Sequence, residues 1–463
     1  TPTARPGPLC SDTRNIPENG VFSALRAALS CDTHSSCRHA SPSPREGRLP
    51  GGTSVARTAF VNTPASSVPA AGDADSSSKM NPSERHASLG LALIFALRML
   101  GLFLVVPVFE IEASHYPGAN PASIGLAMGV YGLTQAVLQL PFGMASDRFG
   151  RKRMITLGLV VFAIGSAVAA LATSLDGLLW GRALQGAGAV SAAVTALLAD
   201  LTRDAVRTKA MAIIGGSIGL VFSVALILSP LLDALMGLSG MFWLVAGRAL
   251  LAIAGLYLIV PDEPPLHKGH AVGGSLAAVL RHPDMLRLNV SVFVLHAVQL
   301  AMWMVVPMLL VQAGLDKNHH WEVYLPAVIG SFVVMGGVLF RMERQGRLRE
   351  VFLTSIVLVG LVQLALWWLA GRQASGIAPS MWSIALALLV FFSGFNMLEA
   401  SQPSIMSRLA TPQTRGMALG VYNTMQSLGL FTGGALGGVL LKVAGAQALF
   451  LGSAALTVLW LVA

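Results

Sequence analysis

The sequence predicts an all-α membrane protein of twelve membrane-crossing helices, arranged as two related six-helix halves. Three observations carry that expectation. Hydrophobic residues make up 54% of the chain and charged residues only 11%, with a mean hydropathy of +0.67; soluble domains carry about 25% charged residues. Apolar runs close to the ~20 residues that cross a bilayer as a helix follow one another, separated by short charged turns. Finally, short stretches recur about 200 residues apart: Asp147-Arg148-Phe149-Gly150-Arg151 returns as Glu343-Arg344-Gln345-Gly346-Arg347, and Thr208-Lys209-Ala210-Met211-Ala212 as Thr414-Arg415-Gly416-Met417-Ala418.

Residues 1–79 are rich in Pro, Ser, Gly, Ala and Arg and lack sustained periodicity. Such a segment cannot bury enough apolar surface to fold alone and is expected to be a disordered extension. Its one apolar patch, Val21–Leu29, is short and interrupted by Arg26, so it is no signal peptide. Met80-Asn81-Pro82-Ser83-Glu84-Arg85 leads directly into the first span, and Met80 is the expected native start. All three cysteines, Cys10, Cys31 and Cys37, precede that span. The Cys31…His34…Cys37…His39 run fits no strong zinc spacing, and neither a metal nor a cofactor is expected.

From there the spans fall at about 88–109, 122–145, 153–173, 176–199, 208–235 and 239–260. The second half repeats the count at about 286–313, 321–342, 349–371, 377–402, 414–441 and 446–463. Residues 80–260 form the expected N-terminal bundle and 286–463 the C-terminal one, joined by a linker over 261–285 containing Pro261, Pro264, Pro265 and Gly273. Turn charges test this layout. Sixteen Lys and Arg residues fall in the even-numbered turns, while the odd-numbered turns hold only Lys317, Arg372 and Lys442. Basic residues stay on the cytoplasmic side, so both termini are expected there. The formal net charge of +9 therefore reads as topology and not as a nucleic-acid footprint.

The turn after the second span carries the densest charge: Gly143-Met144-Ala145-Ser146-Asp147-Arg148-Phe149-Gly150-Arg151-Lys152-Arg153. Gly143 permits close helix approach, and Gly150 suits a tight turn. This stretch resembles motif A of the major facilitator superfamily, with Ala145 where the family usually has Leu. The resemblance implies the twelve-helix transporter fold of that superfamily. Repeated halves of this kind place a substrate site near mid-membrane between them. Arg182-Ala183-Leu184-Gln185-Gly186-Ala187-Gly188-Ala189 resembles the family's motif B, whose Arg is implicated in proton coupling; a buried Arg does not deprotonate, so its role there would be to tune a nearby carboxylate. Motif C, associated with antiporters, is degenerate: Ser229-Pro230 stands in place of its final Gly-Pro.

Closer likeness is carried by Arg98-Met99-Leu100-Gly101, Tyr131-Gly132-Leu133-Thr134-Gln135-Ala136-Val137, Asp200-Leu201-Thr202-Arg203 and Asn396-Met397-Leu398-Glu399-Ala400. These are similar to the bacterial YajR-type drug-efflux group over essentially 80–463. That group continues into a small cytoplasmic ferredoxin-like domain, so a chain stopping at Ala463 is expected to be a fragment or to lack it. The resemblance implies a conformational switch built from Gly143, Asp147, Arg148, Gly150, Arg151, Lys152 and Asp200. Asp147 would face the positive N-terminal end of the eleventh span near Gly416 in the outward-facing state, and Arg151 would pair with Asp200.

Ionisable groups inside spans are expensive and are functional candidates by default. Arg98, Arg182, His296 and Glu399 are the candidates for proton coupling. A buried Glu can load and release a proton as its access alternates, and imidazole changes charge near neutral pH. Each also has a structural reading as a helix-bridging partner. Gln135, Gln139, Gln299 and Asn396 would line a polar cavity or bridge helices. No Walker A sequence supports ATP-driven transport, and no paired nucleophile and base supports an enzyme. The expectation is a monomeric, multi-pass protein of the bacterial inner membrane that exchanges protons for a small amphipathic drug or metabolite. Proton-linked uptake of a metabolite is the alternative, and a non-transporting sensor the more remote one.

Overall fold

A computed structural model describes residues 80–263, 276–411 and 414–462. The 1–79 extension with its three cysteines, linker residues 264–275, residues 412–413, Ala463 and the side chains at 204, 205, 208, 212, 215, 216, 339, 340, 343 and 344 lie outside the described residues. Within them the architecture is all-helical. Ten helices are long and apolar enough to cross a membrane.

Helix α1 (Pro82–Ala113) starts where Asn81 and Glu84 form a capping box, with Pro82 at its first position and the Glu84 carboxylate accepting from Asn81 N at 2.7 Å. Helix α2 (Pro121–Phe149) begins likewise, with Asn120 accepting from Ser123 N. Gly150, at φ 102°, separates α2 from α3 (Arg151–Ala170). The fourth span, expected to be continuous, is instead α4 (Leu175–Ala187) and α5 (Ser191–Asp200). The break has a packing cause: a Cβ at Gly188 would lie 2.4 Å from Gly158 O, so α3 presses against this turn.

Helix α6 (Asp204–Leu258) has 55 residues, far more than a ~30 Å hydrocarbon layer accommodates in one crossing. Gly237, at φ 63°, divides it into the fifth and sixth spans, and Ser239 Oγ donates to Ala170 O at 2.6 Å beside the bend. Short α7 (Leu276–Arg281) precedes α8 (Pro283–Trp303), which breaks before α9 (Val306–Gln312) because Pro307 opens the latter. Then come α10 (Trp321–Arg344), α11 (Leu348–Ala374), α12 (Met381–Leu409) and α13 (Arg415–Val462). Gly445, at φ 80°, divides α13 as Gly237 divides α6. Each of these two divided helices covers two of the segments expected from the sequence.

One apolar core lies wholly within 91–260, a second within 279–422, and a third joins the halves. Large apolar side chains such as Val137, Leu235, Leu251, Trp382 and Leu436 are exposed all around the outside. No aqueous surface tolerates that density; a lipid-facing one requires it. The halves meet most closely along α2 and the first part of α13. A Cβ at Gly125 would lie 2.2 Å from Gly434 O, and one at Gly132 would lie 2.4 Å from Ser427 O. The two glycine ladders of α13 serve different neighbours: Gly434 and Gly438 face α2, whereas Gly433 faces Ala297 of α8.

Candidate functional site

At the α2–α3 turn the charges form one connected cluster. Arg151 pairs with Asp147, donates through Nε to Asp200 Oδ2 at 3.0 Å, and donates through Nη1 to Ser146 Oγ at 2.7 Å. Gly143 allows the approach of α5, since a Cβ there would sit 3.2 Å from that of Ala192. Arg148 is exposed. Lys152 is buried and donates to Val260 O at 2.9 Å and to Asp262 at 3.2 Å. The cap of α3 comes from far along the chain: the Glu263 carboxylate accepts from the backbone N–H of both Arg151 and Lys152, at 2.7 and 3.1 Å. A carboxylate there satisfies two orphan donors and meets the positive helix end. Glu263→Ala is expected to cost about 1 kcal/mol, read as a lowered thermal midpoint of the purified protein.

In this arrangement Asp147 is engaged by its own turn, and among the described residues nothing lies within 4 Å of a Cβ placed at Gly416. At the opposite end, near 112–121 and 317, an ion cluster ties the halves together. Lys317 Nζ reaches the Glu112 carboxylate and, at 3.2 Å, that of Asp233, which joins the first half to the second. Asp233 is buried, while Lys317 and Glu112 keep part of their surface exposed.

Between the two halves lies a narrow cleft. Phe103, Phe222, Leu300 and Leu430 supply apolar walls; Tyr131, Arg182, Gln299 and Trp303 are the polar-headed lining residues. Arg182 is 2% exposed, donates to Gln185 Oε1 at 2.9 Å, and lies 5.1 Å from the centre of the Tyr131 ring. Gln185 is held in turn by Ser166 Oγ, to which it donates at 2.8 Å. Arg98, equally buried, donates to Ser191 Oγ and Gln135 Oε1, both at 3.1 Å, and lies 6.0 Å from the same Tyr131 ring. Neither guanidinium has a carboxylate within ion-pairing distance among the described residues. The carboxylate that a motif B arginine would tune is thus not beside Arg182 here.

The second half brings two sequence candidates together. His296 Nε2 and Glu399 Oε2 are 3.6 Å apart, one on α8 and one on α12. Gln426 of α13, which sequence reasoning missed, bridges them: its amide nitrogen lies 2.8 Å from His296 Nε2 and 3.3 Å from Glu399 Oε1. His296 Nδ1 lies 2.9 Å from Val292 O, a carbonyl that can only accept, so Nδ1 carries a proton. Phe395 touches the imidazole edge-on and also packs against Phe222, linking this cluster to the cleft wall.

The remaining candidates separate. Gln299 lines the cleft one turn beyond His296. Asn396 donates to Ser331 Oγ at 2.9 Å, a bridge between α12 and α10. Gln139 is fully buried with neither amide atom bonded to protein. Arg248, in the middle of the sixth span, escaped the sequence reading although the rule that selected Arg98 applies to it; it donates weakly to Leu244 O.

Comparison with known proteins agrees with this architecture. A family model described as Major Facilitator Superfamily matches residues 91–342 and 337–463. Inner membrane transport protein YajR of Escherichia coli (strain K12) is 40% identical over 386 residues, 83% of this chain and 83% of that protein. Multidrug resistance protein MdtH of Aeromonas salmonicida (strain A449) is 26% identical over 373 residues, 79% of this chain and 90% of that protein. Among solved structures, the human organic anion transporter MFSD10 (TETRAN) gives a TM-score of 0.62 at 18% identity, covering 82% of this chain and 99% of that chain. At that identity the likeness concerns the fold alone.

Proposed function

The chain belongs to the major facilitator superfamily, and on that premise we propose that it exports small amphipathic compounds in exchange for protons. It is a multi-pass membrane transporter, and its relatives are transporters, not enzymes. The observation that carries proton coupling is the His296–Gln426–Glu399 cluster, a carboxylate and an imidazole within reach of each other in the interior of the second half. Such a pair holds a proton by hydrogen bonding and surrenders it when the surroundings change. The apolar and aromatic walls of the cleft suit an amphipathic cargo. The relative named a multidrug resistance protein supports outward transport.

The cycle follows from the two ends. Lys317, Glu112 and Asp233 with the α2–α13 glycine contact hold the halves together at the end away from the charged turn, which supports reading the described state as the one that opens toward the cytoplasm. There the cluster releases its proton and cargo enters. In the opposite state Asp147 leaves Arg151 for the N-terminal end of α13 near Gly416, while Arg151 stays on Asp200. We place the protein in the bacterial inner membrane as a monomer with cytoplasmic termini, following its turn charges and the inner-membrane relative.

The test uses everted vesicles under an imposed pH gradient, comparing the native residue with Asp147→Asn. A panel of amphipathic dyes and drugs is expected to dissipate the gradient with the native protein and to fail with the variant. Equal dissipation by both would overturn the role of Asp147, and no dissipation by any compound would overturn proton-coupled export. Proton-linked uptake is the second reading. It is favoured by the degenerate motif C, in which Ser229-Pro230 replaces the Gly-Pro associated with antiporters.

A further inference from the structure

The cleft contains an imbalance of hydrogen-bonding groups. Of its polar-headed lining residues, Arg182 and Trp303 can only donate, Tyr131 brings a hydroxyl, and Gln299 brings a neutral amide that both donates and accepts. Arg182 spends Nη1 on Gln185, while its Nε is buried without an acceptor. The Tyr131 hydroxyl and Trp303 Nε1 are also buried without a partner. No carboxylate belongs to the lining, and Arg98 adds a second buried cation against the Tyr131 ring. Arg98 has both terminal nitrogens engaged, by Ser191 and Gln135. A buried charge without a counter-charge is costly, and donors with no acceptor add to that cost. The group able to relieve both is an anion that accepts from several donors at once.

We propose that the cargo carries an anionic head, a carboxylate or a sulfonate, which Arg182 grips with help from the Tyr131 hydroxyl, while an apolar or aromatic body lies against Phe103, Phe222 and Leu430. The guanidinium fork matches the two oxygens of such a head. The ring walls discriminate little among apolar bodies of similar size, so selectivity concentrates in the sign of the head group. This assignment rests on reading the cleft as the transport site and holds for either direction of flux. Because anion and proton attract, exchange of the two would depend on which end is open and not on direct competition.

The experiment is equilibrium binding to the purified full chain in lipid nanodiscs, with ring systems matched in all but the head. Naphthoate, naphthalenesulfonate and phenylbutyrate are compared with naphthylmethylammonium, phenylbutylammonium and naphthalenemethanol. At least one anion is expected to bind about 10-fold or more tightly than its cationic and neutral counterparts. Arg182→Gln should remove that preference, weakening the anion by about 10- to 100-fold and the alcohol little, and Arg182→Lys should fall between. Tyr131→Phe, which keeps the ring, should weaken the anion several-fold and gives a second variant should Arg182→Gln not fold. Cations or alcohols binding as tightly as the anions, no anion binding at all, or an anion preference that survives Arg182→Gln would each overturn the proposal. Anion binding intact in a protein that moves no protons would leave it standing and remove proton coupling instead.

Discussion

Glu399→Gln is expected to abolish gradient-driven transport while leaving the protein folded and able to exchange cargo. Glutamine keeps the shape of the side chain and a hydrogen bond to Gln426, which sits 3.3 Å from Glu399 Oε1, but it cannot take up a proton. Each proton coupled to transport across 100 mV is worth about 2.3 kcal/mol, or about 50-fold in the concentration ratio the carrier can sustain. The variant should therefore lose about that factor in accumulation, with counterflow under zero gradient preserved. A purely structural Glu399 predicts the reverse: accumulation unchanged per folded molecule, with a lowered thermal midpoint. Measuring both quantities on the same preparation separates the two roles.

Gly125→Val is expected to trap the transporter with its other end ajar. A Cβ at that position would lie 2.2 Å from Gly434 O and 2.8 Å from Gly438 Cα, and neither backbone atom can step aside without moving α13. Overpacking of this kind costs roughly 1–3 kcal/mol, and the cost falls only on the state in which α2 and α13 touch. The population ratio of the two states should shift by about 5- to 150-fold. Every cysteine of the chain lies before residue 38, at Cys10, Cys31 and Cys37, so replacing these by Ser gives a background for one reporter. Phe222→Cys in the cleft wall should then react faster with an impermeant maleimide from the outer side in the Gly125→Val protein, and transport should stop. An unchanged labelling rate would mean that the glycine contact is not what closes that end.

The spans were legible in the sequence because each is an apolar run of bilayer length. Breaks within spans were not. Gly188 is bent by the pressure of α3, a contact between segments that no local pattern encodes, and Met304–Val305 separates two helices although only Pro307 hints at it. The cluster at the α2–α3 turn was readable from residue types and spacing, yet its Glu263 cap sits more than a hundred residues away among linker charges that look like ordinary surface. His296 and Glu399 were singly visible as ionisable groups inside apolar runs. Their meeting, and the bridge through Gln426, depend on how α8, α12 and α13 are rotated, which one sequence does not reveal. Asn396 shows the converse, a polar span residue engaged in a helix–helix bond to Ser331 and not in the cleft. Arg182 was legible as a candidate, but which groups surround it is set by how α4 packs. The lack of a carboxylate beside it changes its reading from tuning a carboxylate to binding an anion.

The measurement that reaches the central claim most directly follows proton and cargo together in proteoliposomes. The lumen is loaded with the tightest-binding amphiphile and a pH dye, the membrane potential is clamped, and the vesicles are diluted into cargo-free medium. Exchange predicts that the lumen acidifies as cargo leaves, and that Glu399→Gln lets cargo leave by a slower route without acidification. A lumen that turns alkaline as cargo leaves would show proton and cargo travelling together and would contradict the account; so would cargo loss from the native protein with no change in pH.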